Sequence, residues 1–135
     1  MAFPFRPEDR VRKQADFDRI YQARTYAADQ VLIVNGAAND LPHARLGLSI
    51  GRTVGNAVIR NRWKRLIREA FRLSRDELPP GIDLVARPQK QAVADFTLIQ
   101  QSLIALAAKI ARRLQKTSTA LPGRTQTSAR KPQQK

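Results

Sequence analysis

The side chains best equipped for chemistry in this sequence are cations, and they are concentrated. Between Arg52 and Arg75 stand eight basic residues and one acid, Glu69. Arg52, Arg60, Arg62, Lys64, Arg65, Arg68 and Arg72, with the amide of Asn61 among them, are the candidate contacts. Guanidinium groups at this density suit phosphate, because each can grip two oxygens and also stack on a base. An ordinary solvated helix face mixes signs, since acid–base pairs four apart stabilise it and like charges cost a few tenths of a kcal/mol per pair. Here Lys64 and Arg68 stand four apart with no acid between them, Arg68 and Arg72 are again four apart, and only Glu69 can pair, with Arg65 or Arg72. Phosphates would relieve that repulsion.

The chemistry that is missing narrows the function further. There is no cysteine and one histidine, His43, so thiolate sites and any site needing two imidazoles are excluded. No nucleophile–base constellation, paired carboxylates or acidic cluster stands out, so neither catalytic residues nor a metal site is expected in this chain. Asp16 and Asp18 lie two apart on a predicted helix and face different ways, and His43 falls in a turn-rich loop where solvent exposure is expected. The formal charge of +14 over 135 residues calls for a polyanionic partner, most often nucleic acid. Hydrophobic residues make up 42%, which excludes disorder of the whole chain. The longest apolar run, Leu103 to Ala108, is far short of the roughly 18 residues of a membrane span. No signal-like stretch opens the chain. A soluble cytoplasmic protein with no membrane attachment is expected.

The elements that must position these cations follow from periodicity. A first helix is predicted over Asp9 to Ala23, with Phe17, Ile20 and Tyr21 on one face. One strand is predicted from Tyr26 to Val34, with turn chemistry at Asn35-Gly36 and through Asn39 to Pro42, then a second strand from Arg45 to Ile50. Gly51 to Asn56 reads as a loop; its two glycines suit a simple turn or a close backbone approach. Asn56 is placed to cap a helix running from Ala57 to about Arg75. Stepping about 100° per residue puts Leu73, Leu66, Ile59, Ala70, Trp63, Ser74, Ile67 and Phe71 on one arc of that helix. Lys64, Arg75, Arg68, Asn61, Arg72 and Arg65 fall opposite, and Arg60 is a misfit between Ile67 and Phe71. Pro79-Pro80-Gly81 ends this region, and Ile82 to Ala86 forms a short buried strand closed by Arg87-Pro88. A last helix from Ala94 or Asp95 to Lys116 carries a core stripe of Phe96, Ile99, Leu103, Leu106, Ile110 and Leu114. Residues 1–116 are thus read as one nucleic-acid-binding domain. Residues 117–135, with four basic residues and no acid, are read as a disordered basic tail.

Three runs make a more specific signature: Leu46-Gly47-Leu48-Ser49-Ile50, Val54-Gly55-Asn56-Ala57-Val58, and Arg60-Asn61-Arg62-Trp63-Lys64-Arg65-Leu66-Ile67-Arg68-Glu69. Together they closely resemble the bacterial ribonuclease P protein family. Asp16-Phe17 and Asp83-Leu84-Val85-Ala86-Arg87 also fit, and the resemblance covers roughly Glu8 to Gln115. It implies an α/β fold of the α+β two-layer sandwich kind, a small mixed β-sheet with three helices. That fold is ribosomal-protein-like, with a left-handed βαβ crossover. It implies a subunit that binds one catalytic RNA and the 5′ leader of precursor tRNA. Removal of the leader then makes the mature tRNA 5′ end, with the chemistry and the magnesium ions (Mg2+) held by the RNA and no protein partner required. By position, Arg52, Arg60, Asn61, Arg62, Lys64, Arg65, Arg68 and Arg72 correspond to RNA-binding residues, and Phe17 and Tyr21 to the lining of a leader cleft. The chain departs from the family in two places. Thr53 follows Arg52 where a second basic residue is usual, and Val34 and Asn35 stand where a further aromatic is common. The alternative function is a structural ribosomal RNA-binding protein of similar fold. A self-sufficient nuclease conflicts with the lack of catalytic groups.

Overall fold

The structure, a computed structural model, describes residues 5–119. A 3-10 turn at Pro7–Asp9 precedes helix α1 (Gln14–Gln22), strand β1 (Thr25–Ala28), strand β2 (Leu32–Ala38) and strand β3 (Arg45–Leu48). Helix α2 (Ala57–Leu73), a 3-10 turn (Arg75–Glu77), strand β4 (Ile82–Pro88) and helix α3 (Phe96–Thr119) complete the order. The sheet runs β1-β2-β4-β3, with β1–β2 and β2–β4 antiparallel and β3–β4 parallel through α2. This is the expected α+β class, a small mixed sheet with three helices. The tail expected from Thr117 overlaps the end of α3, and its remainder lies outside the described residues.

Several boundaries differ from the sequence reading, each for a local reason. The expected helix from Asp9 starts only at Gln14, because Val11 donates its N–H to the Leu46 carbonyl at 3.0 Å and Arg10 bridges to Leu46 beside β3. The expected strand from Tyr26 to Val34 is two strands. Asp29 breaks it, its carboxylate accepting the N–H groups of Val31 and Leu32 at 2.8 and 3.0 Å. Asn35-Gly36 is not a turn but the middle of β2, paired with Tyr26 and Thr25 on one side and with Val85 and Leu84 on the other. Glycine is required there by close approach: a Cβ on Gly36 would lie 2.5 Å from Ile110 Cγ2 of α3. Strand β4 also reaches Pro88, past the expected end at Ala86.

The main core lies between one face of the sheet and the pair α2 and α3. Leu32, Val34, Leu46 and Leu84 meet Trp63, Ile67 and Phe71 of α2, and the stripe Ile99, Leu103, Leu106 and Ile110 of α3. Each fully buried aliphatic side chain is worth about 1.5–3 kcal/mol. The predicted α3 stripe is therefore right in its centre, while Phe96 and Leu114 at its ends are only half-buried. Helix α1 packs alone on the other face, where Ile20, Phe17 and Val11 cover Ala37 and Val85. Asp83 on β4, fully buried, fixes α1 there. It accepts hydrogen bonds from Arg45 Nε at 2.8 Å, Arg45 Nη2 at 2.6 Å, Asn39 at 2.9 Å and Arg19 of α1.

Candidate RNA-binding surface

Helix α2 starts as expected, with the Asn56 side chain accepting the Ile59 N–H at 3.0 Å. Its buried arc is narrower than the wheel predicts. Trp63, Ile67, Ala70, Phe71 and Ser74 are buried, but Ile59 and Leu73 are each 42% exposed. The helix packs chiefly on α3 and only lightly on β3, so residues at the rim of the arc meet solvent. On the opposite side Asn61, Arg62 and Arg65 are exposed, while Lys64, Arg68 and Arg72 are half-buried. Glu69 pairs with Arg72, not Arg65, with Arg72 Nε 3.0 Å from Glu69 Oε1. That bond holds the Glu69 carboxyl below the usual range and raises Arg72. Arg60 explains its odd place on the wheel: the side chain is half-buried and its Nε is buried without an acceptor among the described residues. Arg52 is exposed in the loop between β3 and α2, whose backbone closes by Gly55 N–H to Arg52 O at 3.2 Å.

The structure joins part of this stripe to the first helix. Lys64 and Arg68 meet Arg10, Arg12 and Phe17 around a pocket of about 290 Å3 at the β3 edge. No carboxylate lines it, and none of the four cations is ion-paired among the described residues. Burial, and after it the charge of Arg10, lower the pKa of Arg68 from its ordinary value. Cations crowded in this way lack only an anion. The Phe17 ring reaches the pocket because residue 47 is glycine: a Cβ there would lie 3.1 Å from the ring and 3.0 Å from Val11 Cβ. Phe5 closes the pocket, its ring edge-on to Phe71 at 5.6 Å with the Arg10 guanidinium 5.2 Å above it. Sequence reasoning missed Phe5, Arg10 and Arg12. Phe5 precedes every predicted element, and Arg10 and Arg12 fall in the first turn of the expected first helix, off its apolar face, where bare charge was their only signal.

Beyond the pocket the α1-side face of the sheet is open. Asp16 and Arg19 turn toward Arg45 and Asp83, so Phe17 and Tyr21, between about 100° and 160° around α1 from them, flank the uncovered part. The pairing Tyr26–Asn35–Val85–Gly47 makes one row, and Ile33–Arg87 begins the next. Tyr21 is 39% exposed and Tyr26 is 56% exposed. Phe17 over Gly47 and Tyr26 stand at opposite ends of the row, three strand spacings or about 14 Å apart. Reading β1 and β2 as one strand hid Tyr26, whose alternation with buried Ala27 is plain once the strand is cut at Asp29. Val34 is fully buried against the main core and so turns away from this face, while half-buried Asn35 belongs to it. His43, expected in solvent, is half-buried, its Nε2 3.1 Å from the Glu8 carbonyl oxygen.

Among the described residues no group of three or more acidic or histidine side chains could hold a metal ion, and no helix is long and apolar enough to cross a membrane. The sequence pattern of ribonuclease P matches residues 5–111, which spans the pocket, α2 and the sheet. The chain belongs to the ribonuclease P protein family. It is 39% identical over 102 residues to the ribonuclease P protein component of Syntrophobacter fumaroxidans, covering 73% of this chain and 86% of that one. It is 38% identical over 112 residues to that of Staphylococcus aureus, covering 81% and 93%. Among solved structures it is similar to the RNase P protein of Thermotoga maritima, with a TM-score of 0.68, 29% identity and coverage of 74% and 96%. The Staphylococcus aureus protein gives 0.65, 34%, 77% and 95%. The chain is accordingly a protein subunit of ribonuclease P, part of the holoenzyme that cleaves tRNA precursors through catalysis by its RNA. Its partners are that RNA and precursor tRNA. The ribosomal alternative falls with this assignment.

Proposed function

We propose that the two halves of the basic surface serve two RNAs. Exposed Asn61, Arg62 and Arg65, with Arg60 and Arg52 at the start of α2, bind the catalytic RNA. The pocket of Arg10, Arg12, Lys64, Arg68 and Phe17, continued by the open face beside Tyr21, takes the 5′ leader of precursor tRNA. The observation that carries this reading is the pocket, where four cations without a counter-ion surround a ring at the edge of an uncovered sheet. Ring stacking on unpaired bases tolerates any sequence and is worth about 1–3 kcal/mol per base, which suits leaders of differing sequence. Arg72, already neutralised by Glu69, contributes less.

The chain itself makes or breaks no bond in this scheme. It screens phosphates and holds the leader in line. Resident magnesium does not fit Asp83, Asp16, Asp9 and Glu69, each of which faces an arginine, and no cluster of three or more acidic side chains stands among the described residues. The ion therefore belongs to the RNA, and the complex works in the cytoplasm. The test is 5′ processing by protein mixed with the bacterial catalytic RNA at low magnesium. Phe17→Ala is expected to weaken binding of substrates with long leaders about tenfold and to spare leaderless ones. Equal loss on both would refute the leader assignment.

A further inference from the structure

The pocket that joins α1 to α2 gathers four cations and no carboxylate, so its walls repel one another before any RNA arrives. Arg10 and Arg12 reach it on a segment that precedes the first helix, and that segment must be held in place against the cations of α2. Asp9, the neighbour of Arg10 in the chain, is 2% exposed, and the RNA surface described above makes no use of it. A carboxylate so buried is stable only where its charge is met.

Two contacts meet it. Its Oδ2 accepts the Arg6 N–H at 2.9 Å, which closes the turn from Arg6 to Asp9 on itself. Its Oδ1 pairs with Arg75, the first residue of the 3-10 turn that follows α2. Arg75 falls on the basic arc of the helical wheel, yet it is committed to this carboxylate and is half-buried, unlike exposed Arg62 and Arg65. On the other side of Arg10, Val11 donates its N–H to Leu46 O at 3.0 Å. Arg10 is thus clamped between a tie to the end of α2 and a tie to β3. Phe5, at the start of the segment, stands edge-on to Phe71 of α2 beneath the Arg10 guanidinium. Without the α2 tie, repulsion from Lys64 and Arg68 would act on a segment held mainly at β3 and at the β2–β3 loop, where Glu8 O meets His43.

We propose that Asp9 and Arg75 are a positioning pair, which sets Arg10 and Phe5 as the far wall of the leader pocket before RNA binds. This role rests on the leader reading above. It is tested with holoenzyme assembled at saturating protein from the full chain carrying Asp9→Asn, Arg75→Ala or Arg75→Lys, on precursor tRNA with a long leader and with none. The asparagine keeps the size of the side chain and an acceptor for the Arg6 N–H, and removes only the charge. The sign of the effect separates the explanations. One negative charge fewer beside a basic surface would by itself tighten RNA binding, whereas a displaced wall weakens it. Asp9→Asn is expected to raise KM for the long-leader substrate about fivefold, with kcat and the leaderless substrate unchanged. Arg75→Ala should match it and Arg75→Lys should restore a nearly normal KM. The two losses should not add in the Asp9→Asn/Arg75→Ala variant, because both break one contact. Tighter or unchanged long-leader binding in Asp9→Asn, additive losses, or equal loss on the leaderless substrate overturns the pair. Phe17→Ala in parallel separates the two claims: if it is leader-dependent and Asp9→Asn is not, the pair alone fails.

Discussion

At the residue scale the most consequential side chain outside the RNA surface is Asp83. Burial pushes its carboxyl up, but the hydrogen bonds and charges of Arg45, Asn39 and Arg19 outweigh this and hold it below its ordinary value of 3.8. The ionised form is therefore favoured by folding. Stability that it contributes is fully present above pH 3.8 and is lost as the pH falls through the lower folded value. Asp83→Ala, which leaves Arg45 and Arg19 only the longer contacts to Asp16, is expected to cost about 3 kcal/mol in urea unfolding. Asp83→Asn should also flatten the loss of stability in acid, and an unchanged acid profile would contradict the assignment. On α2, Arg68→Ala should weaken binding of long-leader precursor tRNA about tenfold and lower its salt slope by about 0.7, while Arg72→Ala does less because Glu69 already neutralises it. Filter-binding titrations at several salt concentrations distinguish the two.

At the scale of elements, Gly47 decides whether α1 and α2 share a site. Gly47→Val would drive a branched side chain into the Phe17 ring, and leader binding should fall more than RNA-subunit binding. Asn56→Ala removes the α2 cap and should cost about 1 kcal/mol, seen as a lower melting temperature. These elements were not equally legible. The core stripe of α3 and the start of α2 were plain in the sequence, because a long three-four spacing and a capping asparagine are local signals. The β1–β2 break was hidden, since Asp29 makes its turn with backbone N–H groups inside an otherwise strand-like run. Asn35-Gly36 misled in the opposite sense: its glycine answers a contact with Ile110, which is 74 positions away in the chain. The same distinction holds for the site. The stripe Arg60 to Arg72 was readable as a pattern on one helix. The pocket that joins Lys64 and Arg68 to Arg10, Arg12 and Phe17 exists only once the N-terminal segment bridges to β3.

For the whole molecule, affinity for the catalytic RNA should be governed by released counter-ions. If about six phosphates are contacted, a salt rise of about fourfold should weaken binding roughly 10³-fold, and a flat response would exclude the electrostatic account. The strand order has a consequence for synthesis. Strand β4 sits between β2 and β3, yet it is the last strand made, so β2 and β3 are not joined into one sheet until residue 88 has emerged. The same strand brings Asp83, the anchor of α1. A nascent chain stopped before Ile82 would therefore carry the entire basic helix with no completed sheet to mount it on. Such a truncated chain should be cleaved rapidly by protease and lack a cooperative melt, whereas the chain through α3 resists. The cations can therefore stand in their working order only after the last strand has entered the middle of the sheet.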